Sequence, residues 1–419
     1  MSHAPDGKLI LVINCGSSSL KYEVIRMPHR QSLGKGSVER IGGPVGVLTQ
    51  SVDGAEFVIE TPIPDHRVAM DLVGKALTDA RAAMVSDLSE IGAVGHRVVH
   101  GGEAFSASVE IDAEVIKAIE DNIPLAPLHN PANLTGIHEA ERLLPGIRQV
   151  AVFDTAFHQT MSPTAYLYGL PREFYEQHRI RRYGFHGTSH RYVAGRALEL
   201  MRRFPDNTNL ITCHLGNGAS ITAIENGHSM DTSMGFTPLE GLVMGTRSGN
   251  LDPAILLYLM NLGYTAEQLN DILNKKSGLL GLSGLSNDMR DLEKAAAEGH
   301  VHAQEALDVF ASRVRKFIGG FCANLVKVDG LVFTGGIGQH GVATRARVCK
   351  RLEHLGIVLD YELNQSNGSK EGIISRSYSR TTILVIPTNE ELQIAMDAFQ
   401  LLFPQPVYPR RRASDVNLL

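Results

Sequence analysis

Cysteine is scarce: four in 419 residues, at positions 15, 213, 322 and 349, with no CxxC pair. That argues against a disulfide framework or a zinc ribbon and fits a reducing cytoplasm. No apolar run approaches the roughly 18 to 20 residues of a membrane span, so no membrane partner is expected. The opening MSHAPDGK lacks a basic region followed by an apolar one, which leaves a secretory leader without support. The net charge of −5 offers no general attraction to nucleic acid. The one dense basic run, Arg410 to Arg412, falls in a Pro-rich end, and residues 405–419 are expected to form a flexible tail. A GxxxxGK[ST] loop is also missing, so any nucleotide site must be built another way.

What is present is an ordinary globular composition, 43% hydrophobic and 20% charged, with 41 glycines. Single cores stop growing near 250 to 300 residues, so this length implies two domains. Strand-like runs stand at 9–14, 92–99, 149–154, 210–214, 331–334 and 381–386. Helical patterns lie between several of them, at 68–84, 113–123 and 303–326. The mixture indicates an α/β protein.

The segment LILVINCGSSSLKYEVI, residues 9 to 25, joins two strand-like runs through a glycine, three serines and Lys21. Its layout returns about 200 residues later in LITCHLGNGASITAIENG. Hydroxyls and glycine N–H groups in a tight turn make a concave donor surface for phosphate oxygens, and a lysine adds a point charge. An isolated GSSSLK is equally a plain hairpin turn. Its repetition suggests a duplicated domain with one phosphate-facing hairpin in each half.

LVFTGGIGQHG supplies a competing signal. Gly336-x-Gly338-x-x-Gly341 follows a strand and precedes a helical stretch to about His354, and IVLD then ends in Asp360. That pattern satisfies a dinucleotide-binding fingerprint and makes a dehydrogenase the second hypothesis. Against it, the unit begins at residue 331 and leaves the earlier hairpins unexplained.

Polar residues interrupt apolar runs elsewhere: Arg97 in GHRVVHGG, His129 in APLHNP, Asp154 in FDTAFH, His186 in RYGFHGTSH and Arg247 in GTRSGN. Each alone has a structural reading as a cap or a satisfied loop residue. The pairs His96/His100 and His186/His190 lack the glutamate of an HExxH zinc site. In VIPTNEELQIAM, Thr388 and Glu391 match a T-x-x-E capping box, which leaves Glu390 free for a cation. Anion cradles, isolated arginines and a spare carboxylate together fit phosphoryl transfer.

In order over residues 8 to 403, VINCGSSSLKY, GHRVVHGG, APLHNP, FDTAFH, RYGFHGTSH, HLGNGAS, GTRSGN, FTGGIG and PTNEEL resemble the acetate kinase family, of the acetate and sugar kinase, Hsp70 and actin superfamily. The resemblance implies two duplicated ribonuclease-H-like (actin-like ATPase) domains with the active-site cleft between them, and a homodimer. The expected division is 1–154 plus about 391–404 for the N-terminal domain and 155–390 for the nucleotide-binding one. It places Asn14 and Glu390 at a Mg2+ site (Mn2+ substituting), with the metal held partly through water. Ser17, Ser19 and Lys21 line the first phosphate hairpin, and His214, Leu215, Gly216, Asn217 and Gly218 form the second. Asp288, Met289 and Arg290, with Gly336, Ile337, Gly338, Gln339 and His340, hold adenosine and ribose. Arg97, His129, Asp154, His186 and Arg247 surround the transferring phosphoryl group. Val99, Leu128, Phe185 and Pro238 wall an apolar pocket for the acid.

Four positions depart from the family pattern: Gln339 and His340 stand where GIGEN is common, Asn250 replaces the aspartate of SGD, and Met289 replaces a frequent aromatic. They bear on nucleotide preference more than on the reaction. The implied reaction is reversible transfer from ATP to acetate, with propionate or another short-chain acid as the alternative. A non-catalytic or filament-forming relative with the same cleft is the third reading.

Overall fold

From Leu9 to Ile13 every side chain is apolar, so this segment has to be covered on both faces. In the computed structural model, which describes residues 7–404, it is β1 (Lys8–Cys15), inside an eight-stranded sheet. The other strands of that sheet are β2 (Ser19–Met27), β3 (Gln31–Glu39), β4 (Gly46–Val52), β5 (Ala55–Thr61), β6 (Ile91–Val98), β7 (Val109–Glu110) and β8 (Gln149–Phe153). Their order is β5-β4-β3-β2-β1-β6-β8-β7, with β1, β6 and β8 mutually parallel and the remaining pairs antiparallel. The two faces divide β1 by alternation. Leu9, Leu11 and Ile13 pack with the helix His66–Thr78, while Ile10 and Val12 pack under the helix Glu390–Leu402. Each such side chain contributes about 1.5–3 kcal/mol on burial. Gly95 of β6 permits the second contact, because a Cβ there would lie 2.6 Å from Ile394 Cγ2.

A second sheet holds β9 (Asn209–Leu215), β10 (Ala219–Glu225), β11 (His228–Thr232), β12 (Gly330–Thr334), β13 (Gly372–Ile373) and β14 (Thr382–Val385). Its order, β11-β10-β9-β12-β14-β13, repeats β3-β2-β1-β6-β8-β7 strand for strand, including which neighbours run parallel. The echo between the two hairpins is therefore one piece of a repeated ribonuclease-H-like unit, and the fold is the actin-like ATPase class. Strands β4 and β5 have no counterpart in the second sheet.

Some sequence expectations need correction. The helical pattern 68–84 ends at Thr78, where Asp79 turns extended and its N–H returns to Ala76 O. Residues 357–360 are not a strand; only Leu359 makes an isolated bridge, to Ser375. Asp360 caps the helix Tyr361–Asn367, its Oδ1 accepting from Glu362 N and Leu363 N, and its Oδ2 pairs with Arg376 Nη1 at 2.9 Å, so both oxygens are engaged away from a ribose. The dinucleotide fingerprint thus lacks its second strand and its acid. Arg410–Arg412 and the tail 405–419 lie outside the described residues.

Candidate active site

Both hairpins end at the same place. In the first, Cys15 pairs with Leu20 and Gly16 N donates to Ser19 O at 2.8 Å. In the second, Leu215 pairs with Ala219 and Gly216 N donates to Gly218 O at 3.1 Å. A cavity of about 310 Å³ opens beside them, lined from the first half by Asn14, Lys21, Arg97, Val99 and Asp154, and from the second by Phe185, His186, Pro238 and Arg247. His129 and Ser19 also reach it.

Arg97 leaves the end of β6 and forks onto Asp154, just past β8, with Nη2 to Oδ2 at 2.7 Å and Nε to Oδ1 at 3.1 Å. Its Nε also lies 3.7 Å from Glu390 Oε2. Burial works against the Arg97 charge, but Asp154 and then Glu390 outweigh it and raise its pKa. Burial pushes Glu390 up to about 7, helped by Asp154 and Glu391 and opposed by Arg97 and Lys21. Arg247 is different. Its Nη1 meets only Pro238 O at 3.4 Å and Met244 Sδ at 3.8 Å, and burial lowers its pKa. Among the described residues no carboxylate pairs with it, so an anion entering the cavity finds this guanidinium unneutralised.

His186 is the N-cap of the helix Gly187–Met201 and sits in the left-handed region at φ 58°. A non-glycine residue there costs on the order of 1–3 kcal/mol, and such strain is retained when the surroundings over-determine it. Here Gly187 N donates to Asp154 O at 2.9 Å, and a Cβ on Gly187 would lie 2.2 Å from that oxygen. The contact docks the histidine of one half against the aspartate of the other. The ring stacks on His214 at 4.3 Å between centroids. Burial first, then His214, His190 and the two arginines, hold His186 well below the usual histidine range. It faces the cavity as a neutral ring. His129, N-cap of Asn130–Leu143, is lowered by burial and by Arg97 and Arg247.

A hydrated Mg2+ takes hard oxygen donors, a few from protein and the rest from water and phosphate. Asn14, opposite Lys21 in the β1–β2 register, and Glu390 offer such oxygens. The desolvated Glu390 carboxyl is the kind of charge a cation relieves. Among the described residues no group of three or more His, Cys, Asp or Glu forms a metal cage. The donor set therefore suits a metal arriving with phosphates rather than a zinc centre. Glu390 is not left free by the expected capping box, however. Asn389, not Thr388, caps the helix by accepting from Leu392 N at 2.8 Å, and Thr388 Oγ1 instead bonds Ser189 Oγ at 2.7 Å.

A second cavity of about 620 Å³ adjoins the second hairpin. Gly216, Asn217, Asp288, Met289, Arg290, Gly336, Ile337 and His340 line it, as the sequence suggested. Other expected residues point elsewhere. Leu215 is fully buried in the core, Gly338 packs against Phe333 and Leu215, and Gln339 Nε2 donates to Ser369 O at 3.1 Å. Gly218 lies toward the first cavity, where a Cβ would sit 3.5 Å from His186 Nε2 and 3.6 Å from Arg247 Nη1. His214 bonds Ser189 Oγ through Nδ1 at 2.7 Å. Asp288 caps the helix Met289–Ala297 and pairs with Arg290 at 2.6 Å, which holds its carboxyl down to about 2. Ser17 is exposed at the hairpin tip. Leu128 does not wall the acid pocket as expected: it is 77% exposed and does not line the cavity.

Sequence reasoning missed Asn133, Asn287 and Glu293. Asn133 donates to Cys15 O at 2.9 Å and accepts from Val99 N at 3.0 Å, so it holds the first hairpin and the pocket wall at a fixed spacing. Its nearest signal was the run HNPAN, one turn into the helix. Asn287 and Glu293 line the second cavity on either side of DMR, and no motif marks them.

A model of the acetokinase family matches residues 9–396. An acetate kinase of Desulfitobacterium hafniense is 54% identical over 395 residues, covering 94% of this chain and 99% of that protein. Among solved structures, Porphyromonas gingivalis acetate kinase superposes with a TM-score of 0.92 at 48% identity, covering 94% of this chain and all of its own. A propionate kinase from Francisella tularensis gives 0.88 at 42% identity, with the same coverage.

Proposed function

This chain belongs to the acetokinase family and is a phosphotransferase, and on that premise we propose that it moves the γ-phosphoryl of ATP directly, in line and reversibly, onto acetate. The observation that carries this is the approach of Arg97, Arg247 and the neutral His186 on one small cavity with an apolar wall of Val99 and Phe185.

A carboxylic acid is ionised at pH 7, so no general base is required. The obstacle is repulsion between a carboxylate and a polyphosphate, about 4 kcal/mol for unit charges ~4 Å apart at an effective dielectric near 20. Arg247, unpaired, offsets it most, and Arg97 is aimed by its fork. Lys21 and the N–H groups of both hairpins hold the phosphates, and His186 donates to oxygens that gain charge as the bond to the leaving group breaks. Asp154 has both oxygens on Arg97 and positions rather than deprotonates. Asn14 and Glu390 would hold Mg2+ or Mn2+, whose contribution when bound is to neutralise charge on the phosphates. The cavity lined by Met289, Ile337 and His340 takes the nucleoside.

Residues 1–154 with about 391–404 then act as one lobe and 155–390 as the other. Their closure excludes water from the activated phosphate. Val99 keeps the pocket short, favouring acetate over propionate, although one methylene discriminates by only ~1–3 kcal/mol. The helix Ala254–Asn261 buries none of its side chains, and Leu257, Tyr258, Met260 and Leu262 are all more than half exposed. An apolar face of that kind suits a second copy of the chain, which supports a homodimer.

A hydroxamate assay over formate, acetate, propionate and butyrate, with ATP or GTP and with or without chelator, tests the reading. The expected result is acetate- and metal-dependent acyl phosphate. Nucleotide turnover indifferent to every acid would refute it.

A further inference from the structure

His186 reaches the cavity through one ring nitrogen; its other nitrogen belongs to a buried chain of hydrogen bonds that no expected site residue explains. His186 Nδ1 lies 2.9 Å from Ser220 Oγ, which lies 2.7 Å from His190 Nε2. His190 Nδ1 in turn lies 2.7 Å from Thr212 Oγ1. Ser220, His190 and Thr212 are all fully buried, on β10, the helix Gly187–Met201 and β9 respectively.

Counting hydrogens selects one arrangement. A neutral histidine has one N–H and one bare nitrogen, and a hydroxyl has a single hydrogen to give. If Thr212 donates to His190 Nδ1, then His190 Nε2–H donates to Ser220, Ser220 donates to His186 Nδ1, and every buried donor is used. The reverse direction leaves the Thr212 hydrogen with no acceptor among the described residues. Two N–H groups aimed at Ser220 would strand the serine hydrogen in the same way. A buried donor without a partner costs about 1–3 kcal/mol, enough to exclude both alternatives.

We infer that Thr212, His190 and Ser220 form a one-way relay that holds His186 in the Nε2–H tautomer, so that a neutral N–H, and not a bare nitrogen, faces the transferring phosphoryl group beside Arg247. The inference rests on the proposed reaction for what His186 does, but the tautomer itself is a property of the resting chain. The three relay residues are positioning residues, since none touches the cavity. The device suits a site already holding two guanidinium groups: a bare nitrogen would repel phosphate oxygens, and a second proton is opposed by Arg97 and Arg247.

Ring 15N–1H correlation spectra of the full-length protein, with His186 assigned by its loss in H186N, read the tautomer directly. The wild type should show Nε2–H. Thr212→Val, nearly isosteric and three hydrogen bonds removed from His186, should mix the tautomers, while Thr212→Ser restores the single form. Acid-dependent kcat should fall about ten- to hundredfold in Ser220→Ala and in the same direction in Thr212→Val, with KM for ATP and acetate nearly unchanged, as when a histidine loses the partner that sets its tautomer. A wild-type Nδ1–H ring overturns the relay, whatever becomes of the variants. So does a folded Thr212→Val protein whose spectrum or kcat matches the wild type. Absence of acyl phosphate in the hydroxamate assay refutes the assigned reaction instead, and the ring spectra still decide the relay.

Discussion

Arg97 and Asp154 are joined by two hydrogen bonds, 2.7 and 3.1 Å long, that occupy both oxygens of the carboxylate. The pair spans the ends of parallel neighbours β6 and β8, so the register of one sheet sets the aim of the guanidinium. Asp154→Asn keeps the shape but removes the charge that steadies Arg97. We expect kcat/KM for acetate to fall on the order of 10²-fold, without a change in the acid limb that loss of a general base would produce. A variant with most of its activity intact would show that Arg97 is aimed by other contacts.

Arg247→Ala should separate activity from stability. It removes a half-buried cation that has no carboxylate partner among the described residues, so kcat should drop by about 10²- to 10³-fold while Tm stays level or rises. Calorimetry beside the kinetic assay checks both, and a clear fall in Tm would mean that the arginine is part of the scaffold.

Stability should decline on mild acidification. Burial lowers His96, His100, His158 and His214 from 6.5 to about 4 each. As pH falls through 6.5 the unfolded chain takes up protons that the folded chain refuses until about pH 4. Stability is therefore full above 6.5 and lost between 6.5 and 4, at up to ~1.4 kcal/mol per pH unit for each ring. Urea unfolding at pH 7.5 and pH 5 measures the difference; equal midpoints would contradict it.

Glu390 should report the metal. With its pKa raised from 4.5 to about 7, ionisation in the folded state costs stability as pH rises from 4.5 through 7. Arg97 and Lys21 offset that cost, while Asp154 and Glu391 add to it. Magnesium chloride with ADP should raise Tm more at pH 8 than at pH 6, and Glu390→Gln should abolish the difference. An unchanged pH dependence in the variant would move the metal elsewhere.

If the proposed dimer forms through the exposed apolar helix, Leu257→Glu should convert it to monomers in sedimentation velocity. A wild-type chain already monomeric at micromolar concentration would remove the argument.

The hairpins, the two arginines, Asp154 and His186 were legible because each breaks an apolar run that a core alone would have continued. The six strands expected from apolar runs came through within a residue or two; Leu9–Ile13 of β1 is apolar throughout, which only a central strand tolerates. The capping box at Thr388 misled because Asn389 competes for the same helix end and wins. The dinucleotide pattern misled because a glycine-rich turn after a strand serves any close backbone approach, and only the absent second strand distinguishes them.

By itself the sequence determined the α/β class, the duplication and the family, since these reside in local pattern and ordered motifs. Tertiary structure alone decided that Asp154 is occupied by Arg97, that Arg247 is not neutralised, that Leu128 stands outside the pocket, and that Ser220 and Thr212 stand behind His186. These are relations between residues tens to hundreds of positions apart. Pairing, burial and hydrogen direction depend on distance in space, which no spacing along the chain records.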